Sequence, residues 1–387
     1  MSSSERSDDR IMRLGIDARI FSGKMCGIAR YVLLILDAVA QDPTVEVVLF
    51  TDTHFHPMFG YLYGKYRVIE RTGSLAKRSW VWAVLPFLLM QERIDVYHAT
   101  ANGGMPRWAH CPCVLTVYDL FLFTRSNVSA KRKRRKRKEF ESEIGRANMV
   151  FCISAYTKAA VSAEIRASRE DRLSVTLLDC DRAGIMSATA DVAEFPKEIN
   201  DFVRGKRYFV MPAGRVTELR KNVLRMSRAF ADVARQRRDT VLCIVGTSDE
   251  TPTGKEIGAF VAEHPAIRIF SGVDDADLYR LMSRCAGVFF VTEEEGFGLP
   301  ILEGFVAGAP VVTADRSASA EVAGDAALTV DPVDTEGMTA ALLRLLDDEV
   351  LRDGCVTAGK KRAEMFDWRK KDGMMVDVYH AVAGGYR

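Results

Sequence analysis

The chain has no long apolar run. Its longest, residues 80–90, is about half of a membrane span, which argues against a transmembrane helix. Residues 1–10 are polar and serine-rich with no apolar signal region, so a disordered lead-in is expected there rather than an export signal. Charge of one sign is also missing: 54 Lys and Arg oppose 52 Asp and Glu, a net charge of +2. Attraction of the whole molecule to a polyanion is thereby excluded, and any basic effect must be local. None of the eight cysteines forms a C-x-x-C pair, and most lie in apolar segments such as residues 241–245. They read as reduced core thiols of a cytosolic protein. Cys111 and Cys113 are too close together for a usual zinc pair and have no partner cluster. No metal or cofactor is expected.

What is present is an alternation of apolar β-prone runs with helical periodicity over 387 residues, enough for two α/β domains. A first strand near Met12 leads to a loop holding Gly23 and Gly27, then to a helix with apolar residues at Ile28, Val32, Ile35, Leu36 and Val39. No G-x-G-x-x-G stands there, so structural glycines explain the loop equally well. Further strands are expected near residues 45–50, 94–98, 114–118 and 148–154. His98 and Asp119 then fall at carboxyl ends of strands, the edge where open α/β sheets bind ligands.

Residues 131–138, from Lys131 to Lys138, are eight consecutive cations, followed by Phe140, Ile144 and Ala147 at helical spacing. On one helix they would oppose the macrodipole at its N-terminal end. Three readings stay open: a solvated face, contact with an anionic membrane surface, or nucleic-acid binding. The last is disfavoured because no aromatics are interleaved and no recognition fold surrounds the run.

In the second half, a strand near Tyr208 ends in Gly214-Arg215, and Lys221-Asn222 stand at a helix start. Two cations six apart across such a turn could clamp a diphosphate. The stretch 287–303 reads as strand, glycine loop and helix start. Thr292, Glu295, Gly296, Phe297, Gly298 and Leu299 lie in the loop, Pro300 stands in the first helical turn, and Glu303 lies one turn in. Free N–H groups at such a helix start suit phosphate. On spacing alone the two glutamates could equally be solvated surface residues.

This last stretch resembles the Glu-x7-Glu signature of retaining glycosyltransferases of the GT-B type, the group that includes bacterial mannosyltransferases. The likeness continues through residues 307–312, 321–327 and 330–332. Gly214-Arg215 with Lys221-Asn222, and the Gly27 loop, are similar to the same family. The resemblance implies two Rossmann-like, doubly wound α/β domains facing a cleft. An acceptor domain is expected over residues 11–200, a nucleotide-sugar domain over 201–365, and a C-terminal helix over 366–387, capped by Asp367, crossing back to the first domain. It implies transfer, with retention, of a hexose from a nucleoside diphosphate sugar to a glycan or lipid-linked acceptor in surface polysaccharide synthesis. Mannose from GDP-mannose is the expected donor. Donor contacts are implied for Arg215, Lys221, Gly272, Val273, Thr292, Gly296, Phe297, Gly298, Leu299 and Glu303, and catalytic positions for Asp119, His98 and Glu295. Relatives with lipid-linked acceptors often carry a basic helix where Lys131–Lys138 stand, which supports docking on the inner face of a membrane. Tyr118 replaces a histidine common in the family and cannot act as a base near neutral pH. Two rival functions are a non-catalytic nucleotide-sugar sensor or scaffold on the same fold, and a retaining glucosyltransferase using UDP- or ADP-glucose.

Overall fold

The computed structural model describes residues 10–124, 128–368 and 374–385. They form two compact units: the first runs to Leu177 and resumes at Trp368, and the second is Leu178–Asp367. The lead-in expected to be disordered lies, up to residue 9, outside the described residues.

The first unit is a seven-stranded sheet of β1 (Met12–Asp17), β2 (Val45–Thr51), β3 (Arg67–Glu70), β4 (Val96–Ala99), β5 (Cys113–Val117), β6 (Met149–Cys152) and β7 (Leu173–Val175). Its order is β3-β2-β1-β4-β5-β6-β7, with every pairing parallel. The second unit holds β8 (Arg207–Arg215), β9 (Thr240–Thr247), β10 (Ile267–Phe270), β11 (Gly287–Phe290), β12 (Val311–Ala314) and β13 (Leu328–Val330). Their order is β10-β9-β8-β11-β12-β13, again all parallel. Parallel strands buried on both faces need continuous apolar runs, and β5, β8 and β11 supply them. Chain order reverses between β1 and β4 and again between β8 and β11, so each unit has a switch point at its carboxyl edge.

Helices close both faces. Gly27–Val39 buries Tyr31, Val32, Ile35, Leu36 and Val39. In the second unit Val223–Gln236 buries Val223, Met226, Phe230 and Val233 against Phe209, Ile244 and Phe289. These three- and four-residue spacings are what a helix needs to face a sheet.

Two expectations are corrected here. The boundary placed at residue 200 falls at Leu177/Leu178. The helices Arg182–Ala190 and Lys197–Val203 belong with the second unit, where Arg182 pairs with Asp179 at 2.8 Å and donates to the Ala363 carbonyl at 2.6 Å. Phe202 also meets Phe270 edge-on at 5.6 Å. The chain rejoins the first unit at Trp368, whose indole N–H donates to the Leu177 carbonyl at 2.7 Å. Asp367 lies 3.8 Å from the Arg182 guanidinium, and the described C-terminal helix is Met374–Gly384; the stretch expected to open it, residues 369–373, lies outside the described residues.

The second correction concerns His98. Its ring is fully buried in β4, with Nδ1 2.8 Å from the Tyr379 hydroxyl and Nε2 2.7 Å from Thr116 Oγ1. It pins the C-terminal helix to the first sheet and meets no solvent, so it is a structural histidine here. Burial lowers its pKa to about 3. The unfolded chain therefore binds a proton near pH 6.5 that the folded chain refuses until about pH 3, so stability falls as pH drops through that window. We expect this group to contribute a slope of at most about 1.4 kcal/mol per pH unit. Urea melts between pH 7 and pH 4 check it: His98→Gln should be less stable at pH 7 yet lose less on acidification. A parallel loss in both proteins would contradict the assignment.

Candidate active site

The carboxyl edge of the second sheet gathers most of the sequence-predicted donor residues. β8 carries a register shift between Pro212 and Gly214. Gly214 sits at φ +64°, and the bulge delivers Arg215 to the exposed end of the strand. The next turn ends at Asn222, which adopts φ +57°, a left-handed conformation that asparagine tolerates better than most residues. Its side-chain amide donates to the carbonyls of Val291 at 3.0 Å and Pro332 at 2.7 Å. One buried side chain thus ties the loop after β8 to the end of β11, across the switch point.

That tether places Lys221. Its ammonium lies 2.8 Å from Glu295 Oε1 and 5.0 Å from the centre of the Phe290 ring. Arg220 reaches the same Oε1 at 2.9 Å and Glu218 at 2.9 Å. Glu295 is 8% exposed, far from a solvated surface glutamate, and two cations on one oxygen offset the cost of burying its charge. Its backbone N–H donates to Ser317 Oγ at 3.3 Å, and Ser317 itself is held at φ +57°. A non-glycine residue in that region stores strain, and such residues cluster at functional sites.

Beyond Glu295 the loop closes inward. Gly296, Phe297 and Gly298 are buried, and Gly298 caps the helix Leu299–Ala307 at φ +109°. That φ is one L side chains rarely adopt, and a Cβ there would also press on Ile301 Cδ1 at 2.9 Å, so glycine is favoured. Leu299 and Pro300 form the first turn, as the sequence predicts, and Glu303 lies one turn in, 6% exposed. Thr292 is fully buried, and its hydroxyl has no hydrogen-bond partner among the described residues. Gly272, at φ +76°, and Val273 follow β10 on the same edge, two strands from β8.

In the first unit Asp119 follows β5, half-buried, and accepts the N–H of Phe121 at 3.0 Å. Tyr118 donates its hydroxyl to the Thr100 carbonyl at 2.8 Å, and burial raises its pKa well above the ordinary phenol value, so it stays protonated. Gly27 opens its helix, exposed, beyond β1. Arg220, Asn222 and Ser317 escaped the sequence reading of the site. Asn222 was visible only as the neighbour of Lys221, and nothing in the sequence separates Arg220 or Ser317 from surface residues.

Comparison with known proteins gives this edge its context. The family model described as Glycosyltransferase Family 4 matches residues 25–175, and that described as Glycosyl transferases group 1 matches residues 194–362. The O-antigen chain mannosyltransferase B of Escherichia coli is 25% identical over 81% of this chain and 80% of its own. The phosphatidyl-myo-inositol mannosyltransferase of Mycolicibacterium smegmatis is 33% identical over 45% of each chain, so the match spans less than half the length of that relative. Among solved structures, an Anabaena HepE complex with UDP and glucose superposes with a TM-score of 0.72, 18% identity, and coverage of 95% of this chain and 99% of that one. A sucrose-phosphate synthase from Thermosynechococcus elongatus gives 0.76 at 15% identity, covering 97% and 100%. These likenesses show the GT-B fold, two Rossmann-like parallel-sheet domains. Residues 25–175 thus match a glycosyltransferase family 4 domain, and residues 194–362 match a group 1 glycosyltransferase domain.

Proposed function

We propose that the protein transfers a hexose, mannose from GDP-mannose, with retention, to a glycan or lipid-linked acceptor of surface polysaccharide synthesis. The observation that carries this reading is the buried Glu295 carboxylate held by Lys221 and Arg220 at the switch point of the second sheet. Lys221 and Arg220 both reach Oε1 of this carboxylate. Held in this way, the carboxylate accepts from a hydroxyl of the donor sugar. Lys221 and Arg215 take the diphosphate, assisted by backbone N–H groups at Gly298 and Leu299, and Glu303 holds the ribose. No metal is assigned, because the two cations neutralise the leaving group.

In the step itself the bond from the anomeric carbon to the phosphate oxygen breaks, and a bond from the acceptor oxygen forms. The acceptor proton passes to the departing phosphate. Charge gathers on the diphosphate in an oxocarbenium-like transition state, where preorganised cations act most strongly. Asp119 and Gly27, at the carboxyl edge of the first sheet, are assigned to the acceptor. The mannosyl relatives favour mannose over glucose as donor. The test is turnover of GDP-mannose, UDP-glucose and ADP-glucose by purified protein, with the anomer of the released or transferred sugar read by NMR. Consumption of GDP-mannose with retention is expected. Inversion, or indifference to all three donors, would overturn the reading.

We also assign the basic helix to an anionic membrane surface. Residues 131–138 lie on the helix Ala130–Arg146, which docks through Phe140 and Ile144. Arg135 and Lys136 pair with Glu139, and Arg137 pairs with Glu164. Lys131, Arg132, Arg134 and Lys138 are exposed with no acidic partner among the described residues. Replacing these four by Gln, which keeps helix propensity, should release the protein from acidic vesicles while leaving donor binding unchanged. Co-sedimentation across a salt series reads the effect. Undiminished sedimentation of the variant would leave the run as a solvated helix face.

A further inference from the structure

The first unit presents an apolar groove that the reaction does not use. A helical segment runs from Ser74 to Gln91 and is interrupted at Trp80–Val84 by a π-helical turn. Such bulges redirect side chains and concentrate at functional sites. Here the turn buries Trp80, at 2% exposure, and sends Trp82 outward. Trp82, Phe87 and Trp108 are each half or more exposed and line one open groove of about 800 Å³. Scattered exposed apolar residues are ordinary, but three large aromatics on one groove are not.

The charges around the groove narrow its occupant. Among the described residues its only charged lining residue is Arg71, and Arg107 lays its guanidinium 4.6 Å from the centre of the Trp82 ring. No carboxylate lines it among the described residues. The loop that carries Trp108 is fixed to both neighbours. Arg107 donates its N–H to the Val81 carbonyl at 2.6 Å, the Pro106 carbonyl accepts from Arg146 at 3.0 Å, and the N–H of Gly103 reaches Glu143 at 3.1 Å. Arg146 and Glu143 lie on the basic helix. Aromatic groove and cationic helix are thus joined through one short loop within the same unit.

We propose that this groove is an interfacial anchor: Trp82, Phe87 and Trp108 insert at the headgroup level of an anionic bilayer, with Arg71 and Arg107 on lipid phosphates. Amphipathic rings and snorkelling cations without carboxylates are the composition that such an interface selects. The inference rests on the membrane reading of the basic helix and adds an apolar component to it. Electrostatic attraction alone leaves a protein in the diffuse ionic layer, whereas ring insertion fixes its depth and orientation.

The full-length protein is titrated with vesicles of acidic or neutral lipid, each with and without bromines on the acyl chains, and tryptophan emission is followed. Acidic vesicles should shift the emission to the blue, and the brominated chains should quench it. Trp82→Ser with Phe87→Ser should weaken vesicle binding at least about tenfold, the scale of burying one large apolar side chain, and should abolish quenching of Trp108. Both positions are exposed, so a thermal melt close to wild type is expected and separates lost docking from lost folding. Binding to acidic vesicles with unshifted emission, equal in wild type and variant, would overturn the groove while leaving the basic helix in place. Binding to no vesicle at all would overturn both. A shift elicited by an acidic amphipathic peptide but not by vesicles would make the groove a protein-docking site and overturn the proposal.

Discussion

Lys221→Ala is expected to lower kcat/KM for the donor by roughly 30- to 1,000-fold, about 2–4 kcal/mol of transition-state stabilisation, the scale of removing one preorganised charge donor. The effect should fall largely on kcat, because the diphosphate carries more charge as it leaves than in the bound donor. The fold should tolerate the change. Arg220 remains 2.9 Å from Glu295, so the carboxylate keeps one cation, and a stability cost on the order of 1 kcal/mol is expected. Arg215→Ala should show a comparable kinetic loss with a smaller effect on stability, since Arg215 stands at the exposed end of β8. Steady-state kinetics with urea melts of both variants check this pair. Near-wild-type kcat/KM in either would remove that residue from the clamp.

Glu303→Ala is expected to weaken nucleotide binding by roughly 1.5–3 kcal/mol, the scale of hydrogen bonds to a charged group. Glu303 is buried, so truncation also leaves a gap in the helix Leu299–Ala307, and Glu303→Gln is the size-matched control. If the carboxylate holds the ribose, the 2′-deoxy nucleotide should bind wild type more weakly and lose little further in either variant. Calorimetric titration of both nucleotides against the three proteins reads this directly. Equal losses for ribose and deoxyribose nucleotides would dismiss the ribose assignment.

The central strands were legible because strands buried on both faces leave unbroken apolar runs. β1, β2, β5, β8 and β11 all fall where the sequence places them. Three edge strands were not. β3, β7 and β13 are three or four residues long and mostly half-buried, and pattern alone does not separate them from loops. The domain boundary was misplaced because residues 179–200 show little periodicity, while the contacts that assign them, Arg182 with Asp179 and Phe202 with Phe270, are tertiary.

The site follows the same division. Lys221, Glu295, Gly298 and Glu303 could be singled out in sequence because glycine-loop-helix spacing is local. That Glu295 and Glu303 are buried, and that Arg220 shares the Glu295 oxygen, depends on strands distant in sequence meeting at the β8–β11 switch point. His98 shows the converse: its position at a strand end is that of a ligand-binding residue, yet Tyr379, 281 positions later, makes it structural.

The central claim is that Lys221 and its neighbours at this switch point bind the diphosphate of the donor. Calorimetric titration of wild type and Lys221→Ala with GDP and with GMP tests it most directly. Wild type should bind GDP more tightly than GMP, and Lys221→Ala should lose most of this difference, with GMP affinity nearly unchanged. An unaltered preference for GDP in the variant, or none in the wild type, would contradict it.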